Sequence, residues 1–309
     1  MKILVTGAAG YLGSVLVPAL LVAGHRVHAL DRMSHGQGQA LASCCANPRF
    51  DVTVGDARDK SVLKPLLHQV DAVIPLAAVV GAPACDLDQF AAFSTNLTAI
   101  GALAELMAPS QLMVIPVTNS GYGRSDAPCT ETSPLRPVSL YGQTKVAAET
   151  IALDRENSIS LRLATAFGAS PRMRVDLMVN DFVYRAVNDH ALVLFEGHYR
   201  RNFVHVADVA RAFLHALANS DDMRGRPYNV GLDEANLTKR ALCERIAALV
   251  PGFTFTEATV GSDPDQRDYV VSNARLAATG FAPIVGLDDG IAELVKLYAM
   301  LNDRRYRNA

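Results

Sequence analysis

The chain has 309 residues, 50% of them hydrophobic and 19% charged, with a formal net charge of -2. That is ample apolar material for a large core and more chain than one ordinary domain needs. The near-neutral balance excludes a global field that would recruit nucleic acid or a membrane surface. The five cysteines, Cys44, Cys45, Cys85, Cys129 and Cys243, have neither the spacing of a zinc site nor the even count of a disulfide framework. They read as reduced thiols of a cytoplasmic protein, and no metal is expected.

Taken in order, residues 1–6 form a short apolar run that predicts a buried parallel strand. It leads straight into glycine turns, so no secretory leader is expected. A helix is expected over 14–23, stopped by Gly24, and a second strand over 26–30, ending in Asp31. The alternation continues with strands at 50–54, 71–75, 111–117 and 158–163, and helices at 61–70, 87–107 and 138–153. The longest apolar run, about 72–83, is too short for a bilayer and contains prolines. After Gly168 the rhythm changes. A basic loop 171–174 precedes a helix over 176–186 and a strand over 200–205. Asp208 is the expected N-cap of a helix to 219. A last strand falls at 228–231, with helices at 236–250 and 288–301 and a loose basic tail at 303–309. Strands alternating with helices predict an α/β fold: a Rossmann-type doubly wound parallel sheet. A smaller α+β region should follow it. The division expected is 1–168, with a returning segment at about 203–233, for the sheet domain, and 169–202 with 234–309 for the second.

Gly7, Gly10 and Gly13 sit between the first strand and helix. Gly7 permits a tight turn, Gly10 lets backbone approach a pyrophosphate, and Gly13 lets helix pack on sheet. The phosphates would rest on the helix N-terminus. Asp31 closes the second strand, where an acid holds both ribose hydroxyls and repels a 2′-phosphate. This favours NAD over NADP, although Arg32 beside it is a residue type that holds a 2′-phosphate. Asp56 ends the third strand within reach of an adenine, and Leu76-Ala77-Ala78 offers small side chains at the next strand end.

Tyr141 and Lys145 lie one helical turn apart on one face of the 138–153 helix, and Thr118 closes the preceding strand. A secondary alcohol becomes a ketone if a base takes the hydroxyl proton while hydride leaves carbon for nicotinamide. A free tyrosine, with a pKa of about 10, is a poor base at neutral pH. A neighbouring ammonium and a positive nicotinamide ring favour its phenolate. Thr118 would hydrogen-bond the reacting oxygen and Lys145 would hold the nicotinamide ribose.

Gly7-x-x-Gly10-x-x-Gly13, Asp31, Leu76-Ala-Ala78, Thr118 and Tyr141-x-x-x-Lys145, in this order, resemble an extended short-chain dehydrogenase of the nucleotide-sugar epimerase/dehydratase family. Arg201-Asn-Phe-Val-His-Val-Ala-Asp208 resembles the family's RDxxHVxD element. The resemblance implies Tyr141 as base, Lys145 as helper and Thr118 as their hydroxyl partner. It implies cofactor contacts from Gly7, Gly10, Tyr11, Leu12, Gly13, Asp31, Asp56, Ala57, Leu76, Ala77, Ala78 and Asn96, besides Tyr141 and Lys145. Substrate contacts are expected from Asn119, Ser120, Arg174, Asp176, Asn180, Arg201 and Arg267. Guanidinium forks, with Arg172 a further candidate, suit a nucleotide diphosphate. Glu196 and His198 could also face the ligand. A homodimer, or a dimer of dimers, is implied through a bundle of the 87–107 and 141–153 helices.

The departures narrow the reaction. Family members that eliminate water carry Asp-Glu after the threonine, whereas Asn119-Ser120 stands here and cannot shuttle protons as a carboxyl pair does. A 4,6-dehydratase is therefore disfavoured, leaving redox chemistry at one carbinol, most simply C4. Pro75 stands where many relatives have His. The strings IPLAAVVGAPAC, TNSGYG, CTETSPLRPVSLYG, RLATAFGASPRMR, NLTKR and DPDQRDYVVSN are similar to those of enzymes that oxidise C4 of GDP-glycero-manno-heptose. Nucleotide-heptose 4-epimerases share much of this pattern and the same first half-reaction. A non-catalytic NAD-sensing module is the reading from another class.

Overall fold

The computed structural model describes residues 1–258, 260–261 and 266–301. The tail expected at 303–309 lies outside these, as do 259 and 262–265 within the expected second region. The strands are β1 (Lys2–Thr6), β2 (Arg26–Asp31), β3 (Phe50–Val54), β4 (Ala72–Pro75), β5 (Leu112–Thr118), β6 (Ser158–Leu163), β7 (Thr165–Phe167), β8 (Ala191–Leu194), β9 (Arg200–His205), β10 (Arg226–Val230), β11 (Asn236–Thr238) and β12 (Thr254–Glu257). The helices are α1 (Gly13–Val22), α2 (Lys60–Leu67), α3 (Ala82–Leu87), α4 (Gln89–Phe93), α5 (Ala99–Leu106), α6 (Leu140–Leu153), α7 (Met178–Asn188), α8 (Val206–Ala218), the short α9 (Ser220–Met223), α10 (Lys239–Leu249), the short α11 (Ala274–Ala277) and α12 (Leu287–Met300).

A seven-stranded sheet has the order β3-β2-β1-β4-β5-β6-β10, every pair parallel. The chain builds outward from β1 to β3, then returns to β4 on the other side of β1. That reversal opens a crevice at the carboxyl ends of β1 and β4, where open α/β sheets bind ligands. β5 is buried at all its positions, as a strand covered on both faces must be. Period-two alternation divides each strand between two cores. Ile3 and Val5 face α1 and α8 through Leu16, Leu20 and Phe213, whereas Leu4 faces Leu63, Leu103 and Ala148. A third core, around Val179, Phe203, Leu242 and Leu294, joins α7, β9, α10 and α12. Phe203 enters this third core while Val204 enters the first, so β9 straddles both.

Two small sheets complete the chain: β11-β9-β7, and β8 paired parallel with β12. Strands β7, β8, β11 and β12 are additions to the sequence expectation; each is too short to show a period. The helix expected over 87–107 is broken. Asp88 leaves helical geometry and caps α4, accepting the Ala91 amide at 2.8 Å, and a π turn at Ser94–Thr98 precedes α5. The helix expected from 236 begins at 239, because Thr238 caps α10 and the residues before it pair with β9. The expected N-cap Asp208 is corrected to His205, whose Nδ1 accepts the Ala207 amide at 3.3 Å. Asp208 instead accepts the Ile284 and Val285 amides and the Arg211 guanidinium. Among the described residues, no helix is long and apolar enough to cross a membrane, and no group of three or more His, Cys, Asp or Glu side chains is placed to hold a metal ion.

Candidate active site

The glycine loop crosses the crevice at the end of β1. Gly7 has φ +66°, and a side chain there would put Cβ 2.6 Å from the Ala77 nitrogen. At Gly13 a Cβ would stand 2.4 Å from the Ala8 carbonyl oxygen, so this glycine is required by the loop's fold against α1. Gly10 is different: a Cβ would meet only the Gly7 carbonyl, at 3.1 Å. Its outer face is therefore open. No side chain caps α1, leaving the positive end of its dipole for an anion. Leu12 precedes that helix and packs on the first core.

Asp31 is buried at the end of β2. Its Oδ2 accepts the Ala9 amide at 3.0 Å and its Oδ1 the Met33 amide at 2.8 Å. The carboxylate thus ties the glycine loop to β2 and keeps further lone pairs for a ribose. Asp56, beside the buried Ala57, is gripped by Arg58, with Nε at 3.0 Å and Nη2 at 2.6 Å. Those hydrogen bonds hold its pKa down to about 2. Arg32 stands 3.6 Å from the same carboxylate. Leu76, Ala77 and Ala78 are half-buried, with the Leu76 amide on the Thr6 carbonyl at 3.0 Å. A glycine face open at one helix end, a buried acid at the second strand end and small residues at the fourth together fit a dinucleotide.

Asn96 lies beside this crevice. It is buried in the π turn, and its side chain is spent inside the protein: Oδ1 accepts the Val79 amide at 2.8 Å, and Nδ2 donates to the Val79 carbonyl at 2.9 Å and to Thr144 Oγ1 at 3.3 Å. It clamps the strand end beyond Ala78 to α6. Tyr11 also turns toward protein, donating its hydroxyl to the Gly168 carbonyl at 2.7 Å.

Ser139 caps α6, accepting the Gly142 amide at 3.2 Å, and sets Tyr141 and Lys145 in the first turns. Lys145 is buried, and desolvation lowers its pKa to about 8 while Glu149 and Cys85 act to raise it. Burial pushes the Tyr141 phenol up to about 12, against Arg267, Arg174 and a hydrogen bond with Thr118, which lower it. Thr118 Oγ1 donates to Ser120 Oγ at 2.8 Å and accepts the Ser120 amide at 3.1 Å. Arg267 Nη1 contacts Ser120 Oγ and lies 3.5 Å from the Tyr269 hydroxyl. Tyr141, Thr118, Ser120 and Arg267 thus form one polar chain. Asn119, beside it, is fully buried with neither side-chain atom hydrogen-bonded.

The other expected substrate residues divide. Arg174 acts on Tyr141 electrostatically and is ion-paired to Asp176, which precedes α7 rather than starting it. Arg201 is fully buried, donates to the carbonyls of Arg200 and Arg267, and so holds the backbone that presents Arg267. Asn180 is buried, accepts the Gly168 amide at 3.0 Å and donates to the Arg174 carbonyl at 2.9 Å, which spaces the loop. Arg172 donates to the Met173 carbonyl, and Glu196 has φ +43° in the turn before the exposed His198. The sequence reading missed Arg58, Cys85 and Glu149. Glu149 was within reach, because it continues the Tyr141–Lys145 stripe by one more turn.

Residues 3–231 match the family model described as NAD dependent epimerase/dehydratase family. The chain belongs to that family. It is 30% identical to a dTDP-glucose 4,6-dehydratase of Streptomyces griseus, across 96% of this chain and 93% of that protein. UDP-glucuronic acid decarboxylase 1 of Arabidopsis thaliana is 27% identical, across 96% and 69%. Among solved structures, the UDP-glucose 4-epimerase of Thermus thermophilus in complex with NAD superposes with a TM-score of 0.80, at 26% identity over 97% of this chain and 99% of that one. NAD is the cofactor of this family member, as the NAD-dependent family model and the NAD complexes of solved relatives at 25% and 26% identity agree. Its activity is that of an NAD-dependent nucleotide-sugar enzyme of the epimerase/dehydratase type.

Proposed function

We propose that this enzyme oxidises C4 of a nucleotide-activated sugar, GDP-D-glycero-D-manno-heptose, to the 4-keto sugar. The observation that carries the reaction type is the Thr118–Ser120 hydroxyl pair beside Tyr141, with Asn119 and Ser120 where an eliminating enzyme needs two carboxyl groups. NAD, when bound, would supply the acceptor for the hydride of C4. Tyr141 takes the C4 hydroxyl proton, Thr118 hydrogen-bonds the reacting oxygen, and Lys145 stabilises the phenolate and holds the nicotinamide ribose. Gly7, Gly10, Tyr11, Leu12 and Gly13 cradle the pyrophosphate, and Asp31 takes the ribose. Arg267 and Arg174 supply cations for the substrate diphosphate, with Arg201 fixing the first of them. The heptose and the guanine base rest on the similarity of sequence strings. The second reading, a 4-epimerase, uses the same half-reaction and returns the hydride to the other face; the likeness to the UDP-glucose 4-epimerase of Thermus thermophilus supports it.

The proposal divides the chain into an NAD-binding part, 1–168 with 203–233, and a substrate part, 169–202 with 234–309, in a cytoplasmic homodimer. Support for the dimer is the row Leu87, Phe90 and Phe93 on α3 and α4, exposed by 84%, 80% and 46%, beside α6. The deciding experiment is the mass of the product from GDP-heptose with NAD. Loss of two hydrogens supports the dehydrogenase, and unchanged mass with a changed sugar supports the epimerase. Loss of water or of carbon dioxide overturns both. An enzyme that binds NAD and converts no nucleotide sugar is a sensor instead.

A further inference from the structure

A buried polar network behind the catalytic helix has no part in the chemistry above. Glu149 lies one turn beyond Lys145 on α6 and is 3% exposed. Both of its oxygens face Arg162 of β6, with Nε at 2.9 and 3.1 Å and Nη2 at 2.8 Å, and Ser160 also donates to it. Arg162, 5% exposed, turns its remaining arm to the Tyr122 hydroxyl at 3.0 Å. Tyr122 donates onward to Asn229 Oδ1 at 2.7 Å, and Asn229 Nδ2 donates to the Ser272 carbonyl at 3.0 Å. The Tyr122 ring also meets Tyr269 edge-on, centroids 6.3 Å apart, and Tyr269 is the hydroxyl partner of Arg267. One continuous chain therefore runs from the helix bearing Lys145 to the 266–273 segment bearing Arg267.

A buried ion pair is a weak source of stability, because desolvating two charges costs about what their attraction returns. Apolar residues would fill this space at least as well. What the pair does supply is direction, since a bidentate guanidinium fixes both distance and angle. We propose that Arg162 is a positioning residue: it holds Glu149 one turn beyond Lys145 on α6, and through Tyr122 and Asn229 it holds the segment that presents Arg267 to the substrate. This rests on the reading of Tyr141 and Lys145 as the reacting pair. Lys145 has Tyr141 and Glu149 one turn to either side on its own helix, and Glu149 and the Cys85 thiol of α3 act to keep it charged, Glu149 being the carboxylate among them.

The test compares the pH dependence and the KM–kcat split of three variants with the NAD-loaded wild type. Glu149→Gln removes the anion and leaves the Arg162 cation nearby. Loss of that anion favours a neutral Lys145, so the alkaline limb of kcat/KM moves to lower pH by about half a unit or more. Tyr122→Phe keeps the Glu149–Arg162 pair and cuts the link to Asn229. It leaves that limb in place and raises the KM for nucleotide sugar about fivefold, with kcat within about twofold. Arg162→Lys keeps the charge without the fork and behaves like Tyr122→Phe. An unmoved limb in a folded Glu149→Gln overturns the proposal, as does an unchanged KM in Tyr122→Phe. Should Glu149→Gln fail to fold, the Tyr122→Phe result decides alone. Tyr141→Phe is assayed in parallel. If it keeps turnover, the reading of the base falls and the inference with it. If it is inactive while the limb and KM of the other variants do not move, only the inference falls.

Discussion

Thr118 donates its hydroxyl to Ser120 at 2.8 Å and accepts the Ser120 amide in return, so the two residues hold each other in one rotamer each. The oxygen that hydrogen-bonds Tyr141 is thereby aimed by its neighbour, and Arg267 adds a cation at the far end. Ser120→Ala removes the acceptor of the Thr118 proton while leaving the strand intact. We expect kcat to fall about tenfold, equivalent to about 1.4 kcal/mol, with NAD affinity unchanged. Single-turnover NADH formation and an NAD titration check this; a loss confined to KM would mean that Ser120 only binds substrate.

Lys145 carries a pH-dependent cost of folding. Burial holds its folded pKa down to about 8, whereas an unfolded lysine titrates near 10.4. Below about pH 8 both states are protonated and the folded protein bears the full desolvation penalty. Between the two values the unfolded chain binds the extra proton, so stability from this site rises with pH. The shift corresponds to about 3 kcal/mol. Urea unfolding of the wild type relative to Lys145→Met, whose side chain has no such proton, should turn in favour of the wild type between pH 8 and 10. Above pH 10 the Tyr141 phenol, raised to about 12, contributes with the opposite sign. A flat difference from pH 8 to 10 would mean that Lys145 is hydrated in solution.

The sheet and the Tyr141–Lys145 pair on α6 were legible because each is written locally. A glycine turn between strand and helix, an acid closing the next strand, and Tyr141 with Lys145 one turn apart are patterns of a few residues. What was illegible depends on partners remote in sequence. The partners of the Asn96 and Asn180 amides, Val79, Thr144, Gly168 and Arg174, are brought in by the fold from elsewhere. β8 and β12 pair across an intervening helix and sheet, and neither strand is long enough to show a period. The break at Asp88 was readable as a capping residue and was outweighed by the apolar run around it.

The Asn96 clamp predicts a variant that hardly alters volume. Asn96→Asp replaces two donors with acceptors opposite the Val79 carbonyl and the Thr144 hydroxyl. Leaving that buried carbonyl without its donor costs about 1–3 kcal/mol. The displaced strand end beyond Ala78 should also weaken NAD binding. Thermal unfolding with and without NAD separates the two effects: the midpoint falls in both conditions, and the increment due to NAD shrinks. A variant with wild-type stability would show that solvent reaches the π turn.

Gly10 and Gly13 belong to one motif and predict opposite behaviour. At Gly13 a methyl group would lie 2.4 Å from the Ala8 carbonyl oxygen, a backbone atom of the same loop that cannot move aside alone. Gly13→Ala therefore overpacks the junction of loop and helix and costs about 1–3 kcal/mol even without cofactor. At Gly10 a methyl group would meet only the Gly7 carbonyl, at 3.1 Å, and otherwise project into the open face of the crevice. Gly10→Ala should keep its unfolding midpoint near that of the wild type and lose NAD affinity by about tenfold or more, because the methyl occupies the path of the pyrophosphate. Calorimetric NAD titration of both variants, together with their unfolding midpoints, gives the comparison. Equal affinity in Gly10→Ala and the wild type would place the pyrophosphate away from this loop, and with it the hydride acceptor away from Tyr141.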